Sequence, residues 1–169
     1  MRDLTGAPTE CLTWNEKEEE AIVFPRIFEG DKMNYIMNCG TKGSGEQKKN
    51  NGIIKGHAYS LVGAFKLPNG EELVKLRNPW GRGEWTGDYS DKSPKWTPEL
   101  KQQLGWIDKD DGTFFMPIKN FLEEYDNVAI CHYREDFILS NLFDINPSNA
   151  FACYQFNIDK AGDHYFGLS

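Results

Sequence analysis

Two apolar segments joined by the turn dipeptide Asn69-Gly70 constrain the fold of this chain more than any other feature. The first segment covers residues 54–67 and the second covers residues 73–77. Because Asn and Gly tolerate the positive φ angles of a tight β-turn, the pattern predicts two antiparallel strands joined as a hairpin. A hairpin near the middle of the chain favours a core built on an antiparallel sheet.

The segment before the hairpin predicts a helix, a strand and a long loop. The helix is expected to begin near Thr13 or Asn15, to be strained by an internal proline and to end at Gly30. Residues 33–41 predict a strand. Residues 42–52, called here the lysine-rich loop, contain no apolar side chain, so we expect them to be exposed and mobile.

The segment after the hairpin predicts two short helices and further strands, which makes the fold class α+β. Thr97 as N-cap and Pro98 at the first helical position predict one helix start. Residues 117–125 predict a second helix and residues 127–133 a strand. From residue 135 onward, apolar alternation with turns predicts the first strands of another β domain.

Composition excludes several classes of partner. The chain has 169 residues, of which 39% are hydrophobic and 27% charged, enough for one good core. With 26 acidic and 19 basic residues the net charge is −7, so nucleic acid is not an expected partner. No apolar run approaches the roughly 20 residues of a transmembrane helix, and the polar start does not resemble a signal peptide. We therefore expect a cytoplasmic protein.

The cysteines show no metal-binding pattern. None forms a Cys-x-x-Cys pair or a Cys/His spacing typical of zinc. Without an export signal, reduced and mostly buried thiols are expected rather than disulfides. The four are Cys11, Cys39, Cys131 and Cys153.

The hairpin brings His57 and Asn78 near each other, but the sequence leaves their register open. With the turn centred between Leu67 and Pro68 they lie opposite; with Asn69-Gly70 central, Asn78 faces Leu61 instead, and a bulge would decide. A carboxamide oxygen that binds one imidazole nitrogen fixes the ring and leaves the other nitrogen for a nucleophile, an arrangement that suits a thiolate. The alternative is a structural histidine beside a turn asparagine.

Several motifs together resemble one protease family. "KGHAYSLVGA" followed by "LRNPWGRGEWTGDYSD", with "DLTG", "DGTFFMP" and "NFLEEY", resembles the calpain family of calcium-dependent, papain-like cysteine endopeptidases over about residues 4–133. The resemblance implies the C-terminal lobe of a papain-like core, with an antiparallel β-sheet or barrel and short helices. It implies that His57 is the general base, that Asn78 orients it and that Trp80 shields their hydrogen bond.

The resemblance also implies how the chain is divided. Residues 1–8 correspond to the end of the first protease lobe, 9–134 to the second, and 135–169 to the start of a β-sandwich domain. None of the four cysteines matches the nucleophile, since Cys11 and Cys39 lie too close upstream of His57 and the others follow it. We expect the nucleophile on a Cys-bearing first lobe outside this chain, Met1 as an internal residue of a longer protein, and no peptidase activity from the chain alone.

Calcium is the cofactor that the resemblance implies. The matching positions are the carboxylates of Glu84, Asp91 and Asp111 and the carbonyl of Lys109. Thr113 departs from the family, in which an acidic residue is common there, so either weaker affinity or loss of the site is expected. The nearby "DKDDG" lacks EF-hand spacing, and a solvated acidic turn is the alternative.

Three functions are consistent with these features. The first is a calcium-dependent endopeptidase acting on protein substrates, to which this chain contributes base and orienting residue. The second is a non-catalytic calpain-like scaffold, and the third is a calcium-binding regulatory module. His132 and His164 show no partner pattern and are interpreted as structural or surface residues.

Overall fold

The computed structural model describes residues 1–15, 17–136, 155–162, 164 and 166, and for residues 2, 3 and 17–20 it describes the backbone only. The described residues form four helices and six strands. In order they are α1 (Arg2–Thr5), β1 (Thr9–Thr13), α2 (Lys17–Lys32), β2 (Ile36–Thr41), β3 (Ala58–Lys66), β4 (Glu72–Arg77), α3 (Pro98–Leu104), β5 (Thr113–Pro117), α4 (Ile118–Glu124) and β6 (Tyr125–Cys131).

The six strands form one antiparallel sheet with the order β1-β6-β2-β3-β4-β5. The predicted hairpin is present as β3 and β4, which occupy the inner part of the sheet. This arrangement confirms the α+β class and the antiparallel sheet. Strands β1 and β5 form its two edges.

Both faces of the sheet are covered by apolar side chains. Val74 and Leu76 belong to the larger cluster, which includes residues of α2 and α4. Leu73 belongs to a second cluster with Trp96 and Leu104, from the loop after β4 and from α3. Because neighbouring residues of a strand point to opposite faces, the two clusters lie on opposite sides of β4. Strand β4 is therefore buried on both sides.

A β-bulge at Val62 interrupts the β3–β4 pairing. Leu61 pairs with Leu76 and Gly63 with Lys75, so Val62 has no partner on β4. An unpaired residue in one strand moves every residue beyond it to the other face of the sheet. Leu61, before the bulge, and Ala64, beyond it, accordingly belong to the same core cluster.

The bulge decides which face His57 and Asn78 share. Ser60 pairs with Arg77, and continuing this register places Asn78 opposite Tyr59. His57 precedes Tyr59 by two residues, so His57 and Asn78 lie on the same face as diagonal neighbours. This register differs from both of those considered from the sequence, and without the bulge the two residues would lie on opposite faces.

Most predicted elements are present, with differences at their ends. The cap of α3 is confirmed, since Thr97 accepts a hydrogen bond from the amide of Leu100. The predicted end of α2 at Gly30 is wrong, because the helix continues to Lys32. A side chain at Gly30 would meet the sulfur of Met37 at 3.0 Å, so this glycine serves packing against β2 rather than helix termination.

The predicted β-sandwich falls mainly on residues 137–154, which lie outside the described residues. The described residues 155–162 contain no helix or strand. Within the described part of the chain, none of the helices has the length and apolarity needed to cross a bilayer.

Candidate active site

His57 and Asn78 meet through their side chains. The Nε2 atom of His57 lies 3.0 Å from Oδ1 of Asn78, and both residues are buried. The carboxamide is fixed in turn, because its Oδ1 accepts from the amide of Trp80 (3.1 Å) and its Nδ2 donates to the carbonyl of Gly83 (3.2 Å). Since Oδ1 accepts hydrogen bonds, the proton of this contact belongs to Nε2 of His57.

The backbone of His57 is anchored by Thr41, the last residue of β2. The amide of His57 donates to Thr41 Oγ1 (2.9 Å), and its carbonyl accepts from the Thr41 amide (3.0 Å). The same hydroxyl contacts the carbonyl of Ile54 at 2.7 Å. Sequence reasoning missed Thr41, because a threonine at a strand end gives no signal of a partner 16 residues away.

Two aromatic rings enclose the imidazole. The ring of Trp80 lies 4.4 Å from that of His57, and Tyr59 makes an edge contact at 5.0 Å. Trp80 is 47% exposed, so its indole stands between the imidazole and solvent. This placement suits the shielding role that the resemblance implies for Trp80.

The second nitrogen of His57 contacts a carboxylate that the sequence analysis did not single out. Nδ1 lies 3.1 Å from Oε1 of Glu46, whose side chain is 55% exposed. One feature of the sequence could have pointed to this residue: Glu46 is the one acidic residue between Lys42 and Gly56. Nδ1 is the nitrogen left for a nucleophile once Nε2 binds Asn78.

The described cysteines lie away from the imidazole. Cys11 is exposed, while Cys39 and Cys131 are buried free thiols. Burial raises the pKa of Cys39 well above its ordinary value, which makes this thiol inert, and its Sγ contacts the carbonyl of Tyr59. None of the three hydrogen-bonds to His57 among the described residues, and Cys153 lies outside them.

Two of the predicted calcium ligands, Glu84 and Asp91, come together and are called here the acidic pair. Burial, together with the negative charges of Asp91 and Asp110, raises the pKa of Glu84 to about 7. Burial and the charges of Asp108 and Asp111 also raise the pKa of Asp91, which shares a hydrogen bond with Glu84. Carboxyl groups that face each other in this way favour a proton or a cation between them.

The other two predicted ligands, Asp111 and the carbonyl of Lys109, make hydrogen bonds elsewhere. Asp111 accepts a hydrogen bond from the Thr113 amide (3.0 Å), and hydrogen bonds from Thr113 lower the pKa of Asp111. The carbonyl of Lys109 accepts from the amide of Asp111. Across the described residues, no set of three histidine, cysteine or acidic side chains is placed to hold a metal ion. The structure therefore brings two of the four predicted ligands together, and Asp111 is hydrogen-bonded to Thr113 instead.

The acidic pair is connected to Asn78 by hydrogen bonds. Oε1 of Glu84 accepts from the amide of Gly112 at 2.9 Å. The carbonyl of Gly112 in turn accepts from the amide of Asn78 at 2.8 Å. Gly83, which holds the Asn78 carboxamide, directly precedes Glu84 in the chain. Asn78 is therefore held by Gly112, which binds Glu84, and by Gly83, which precedes Glu84.

The chain is similar to proteins of one known family. The family described as "Calpain family cysteine protease" matches residues 1–132. Calpain-9 of Homo sapiens is 34% identical over 144 residues, which cover 80% of this chain and 21% of that protein. Calpain-14 of Homo sapiens is 39% identical over 136 residues (76% and 19%), and calpain-12 of Mus musculus is 41% identical over 92 residues (52% and 13%). The chain spans about a fifth or less of these relatives. The chain belongs to the calpain family of cysteine proteases.

Proposed function

We propose that this chain is the His/Asn lobe of a papain-like, calcium-dependent endopeptidase that cleaves protein substrates. The hydrogen bond between His57 Nε2 and Asn78 Oδ1 carries the proposal. It joins a base to a neutral orienting group, is buried on a rigid sheet and leaves Nδ1 for a nucleophile. Neither residue supplies a nucleophile, which we assign to a Cys-bearing first lobe outside the chain.

The proposed reaction divides between the two lobes. Nδ1 of His57 takes the proton of the cysteine thiol, and the thiolate attacks the carbonyl carbon of the scissile peptide. His57 returns the proton to the nitrogen of the leaving amine as the C–N bond breaks, which leaves a thioester. His57 then takes a proton from water, whose oxygen attacks the thioester carbon. The C–S bond breaks, and His57 returns the proton to the cysteine sulfur as the acid product leaves. Asn78 holds the ring in one orientation throughout.

This division explains why we expect the chain alone to be inactive. A base and its orienting residue lower the barrier of a proton transfer but form no bond to the substrate carbonyl. The described cysteines do not replace the nucleophile, because Cys39 and Cys131 are buried in the core and Cys11 lies on edge strand β1.

We further propose that Ca²⁺ binds at the acidic pair, with the carboxylate of Asp111 and the carbonyl of Lys109 as additional ligands. The facing carboxyls of Glu84 and Asp91 support this proposal. A bound divalent cation would neutralise their charges and join the loop after β4 to the loop before β5. The cytoplasmic location remains a prediction from the sequence.

Peptide hydrolysis by the full-length protein that carries this chain tests the proposal. We expect His57→Ala to lower kcat/KM by about 10²–10⁴-fold, the range of general acid–base catalysis. Asn78→Ala is also expected to lower kcat/KM, and chelation of Ca²⁺ is expected to abolish hydrolysis. His132→Ala is the matched control and is expected to leave the rate unchanged. Equal activity of His57→Ala and wild type would refute the proposal.

A further inference from the structure

Residues 47–55 form a small hairpin, called here the lysine hairpin, which ends two residues before His57. Lys48 and Ile54 pair in it as an antiparallel bridge. Backbone hydrogen bonds of 2.8 Å and 2.9 Å close the lysine hairpin on either side of this pair. Much of the segment that the sequence predicts as a loop therefore follows a defined backbone path.

The lysine hairpin is attached to its neighbours on two sides. Lys49 forms an ion pair with Glu124, and the carboxamide of Asn51 donates to the same carboxylate at 2.9 Å. A Cβ at Gly52 would lie 1.9 Å from the carbonyl oxygen of Glu84. The lysine hairpin is therefore packed against α4 and against the loop after β4.

A shallow hollow of about 440 Å³ lies on the lysine hairpin, and all the residues that line it are polar or basic. The lining residues are Gln47, Lys48, Lys49, Asn50, Asn51 and Lys55. Among the described residues, Lys49 is neutralised by Glu124, whereas Lys48 and Lys55 form no ion pair. The hollow thus offers two positive charges that no acidic side chain of the described chain neutralises.

The charge and the size of the hollow favour an acidic side chain as its ligand. Ammonium groups bind carboxylate oxygens through charge-assisted hydrogen bonds. A volume of about 440 Å³ is near the lower end for ligand pockets and suits a short peptide segment. An extended polyanion such as nucleic acid or an anionic membrane is disfavoured, because the chain as a whole has a net charge of −7.

The hollow lies beside the candidate active site. Glu46, whose carboxylate is 3.1 Å from Nδ1 of His57, directly precedes Gln47 at the edge of the hollow. On the other strand of the lysine hairpin, Lys55 precedes His57 by two residues. An extended peptide advances about 3.3–3.6 Å per residue, so a substrate at His57 reaches the hollow within about four residues.

We propose that the lysine hairpin is a substrate subsite that binds an aspartate or glutamate side chain within about four residues of the scissile bond. Lys48 and Lys55 provide its charged contacts. The substrate role rests on the proposed function, whereas the binding of an acidic side chain in the hollow does not. Ion pairs at exposed positions contribute modestly and are screened by salt, so the subsite confers a moderate preference that weakens at high ionic strength.

Carbodiimide coupling on the full-length protein that carries this chain tests the binding site without peptidase activity. The probe is N-acetylated, C-amidated tetraglutamate, whose carboxylates the reagent joins to lysine amines that lie in contact with them. We expect mass-spectrometric mapping to find adducts at Lys48 and Lys55 about threefold or more above those at Lys119, an exposed lysine of α4, and high salt to remove the excess. Equal adduct yields at the three lysines would overturn the proposal.

Hydrolysis of paired peptides by the same full-length protein tests the substrate role. The two peptides of a pair differ only by glutamate or glutamine, placed in turn at each position within about four residues of the cleaved bond. At one position we expect the wild type to prefer glutamate by about threefold to tenfold in kcat/KM, and the double variant Lys48→Gln/Lys55→Gln to show no preference. Lys119→Gln is the matched control and is expected to keep the preference.

The two experiments separate the subsite from the proposed function. Hydrolysis with equal kcat/KM for both peptides at every position would overturn the subsite and leave the proposed function intact. Adducts at Lys48 and Lys55 without hydrolysis of either peptide would overturn the substrate role together with the proposed function, and would support the hollow as a binding site for acidic side chains.

Discussion

At the scale of single residues, the site depends on a few groups whose conformations are fixed by their neighbours. Gly112 is the clearest example, because its amide binds Glu84 and its carbonyl binds Asn78. Its φ is +82°, and a Cβ there would lie 2.8 Å from the Asn78 carbonyl oxygen and 2.9 Å from the Arg82 amide. The contact between the two loops at the site therefore requires glycine at this position.

We expect Gly112→Ala to destabilise the chain more than Gly70→Ala does. Both glycines have positive φ, but nothing lies within 4 Å of a Cβ at Gly70. Gly70→Ala is therefore expected to cost only the left-handed backbone penalty of about 1–2 kcal/mol. Gly112→Ala adds a steric clash of about 1–3 kcal/mol. Urea denaturation measures both, and equal losses of stability would contradict the close approach seen at Gly112.

Glu71 in the hairpin turn gives a pH-dependent contribution to stability. Hydrogen bonds from Lys95, Tyr89 and Asn69 lower the pKa of Glu71 from 4.5 to about 2. A carboxyl whose pKa is depressed by folding stabilises the native state above its unfolded pKa, and this stabilisation is lost as the pH falls toward the folded value. The side chain is 36% exposed, so solvent screens the ion pair with Lys95.

We therefore expect Glu71→Gln to cost about 1 kcal/mol or less at pH 7 and nearly nothing at pH 2. Urea unfolding of wild type and variant at several pH values measures this difference. Glu72→Gln is the matched control, since among the described residues its carboxylate pairs with Lys66 on the exposed side of the hairpin. A difference between wild type and Glu71→Gln that grows on acidification would contradict the assigned ionic network.

At the scale of elements, the hairpin could be predicted from the sequence and its register could not. Asn69-Gly70 is a local signal for the turn. The bulge at Val62 has no such signal, because it arises from the demand that Leu61 and Ala64 both enter the same core. The sequence likewise gives no local signal that Gly30 lies inside α2, because this position depends on packing against β2.

Side-chain partners distant in sequence were likewise only partly predictable. The pair His57 and Asn78 was expected because the hairpin connects them and a family resemblance supported it. The contacts of Glu46 and Thr41 with His57 depend on the path of a long loop and on the pairing of β2 with β3. No periodicity or motif in the chain encodes either of them.

Deletion of Val62 tests the role of the bulge. Removing the unpaired residue is expected to turn Tyr59 and Leu61 out of the core or to break the pairing of β3 with β4. Leu61 alone contributes about 1.5–3 kcal/mol through burial, so we expect a loss of at least that size. Val62→Ala keeps the bulge and, at a position that is 48% exposed, is expected to change stability by about 0.5 kcal/mol or less. Similar stability of the two variants would contradict the assigned register.

At the scale of the whole molecule, we propose that the described chain supports one half of an active site. The sheet holds His57 and Asn78 on one face, and the loop after β4 connects Asn78 to the acidic pair. In this proposal, a protease that includes this chain takes its nucleophilic thiol from a segment outside it. We propose that His57 activates a cysteine that lies outside this chain.

Labelling of the full-length protein with a thiol-directed epoxide tests this claim most directly. We predict that one cysteine outside the sequence printed here reacts rapidly in the presence of Ca²⁺, and that His57→Ala slows its reaction by about 10²-fold or more. The His132→Ala variant is expected to label like the wild type. Labelling confined to Cys11, or a nucleophile that reacts equally fast without His57, would contradict the claim and would favour a non-catalytic calpain-like scaffold.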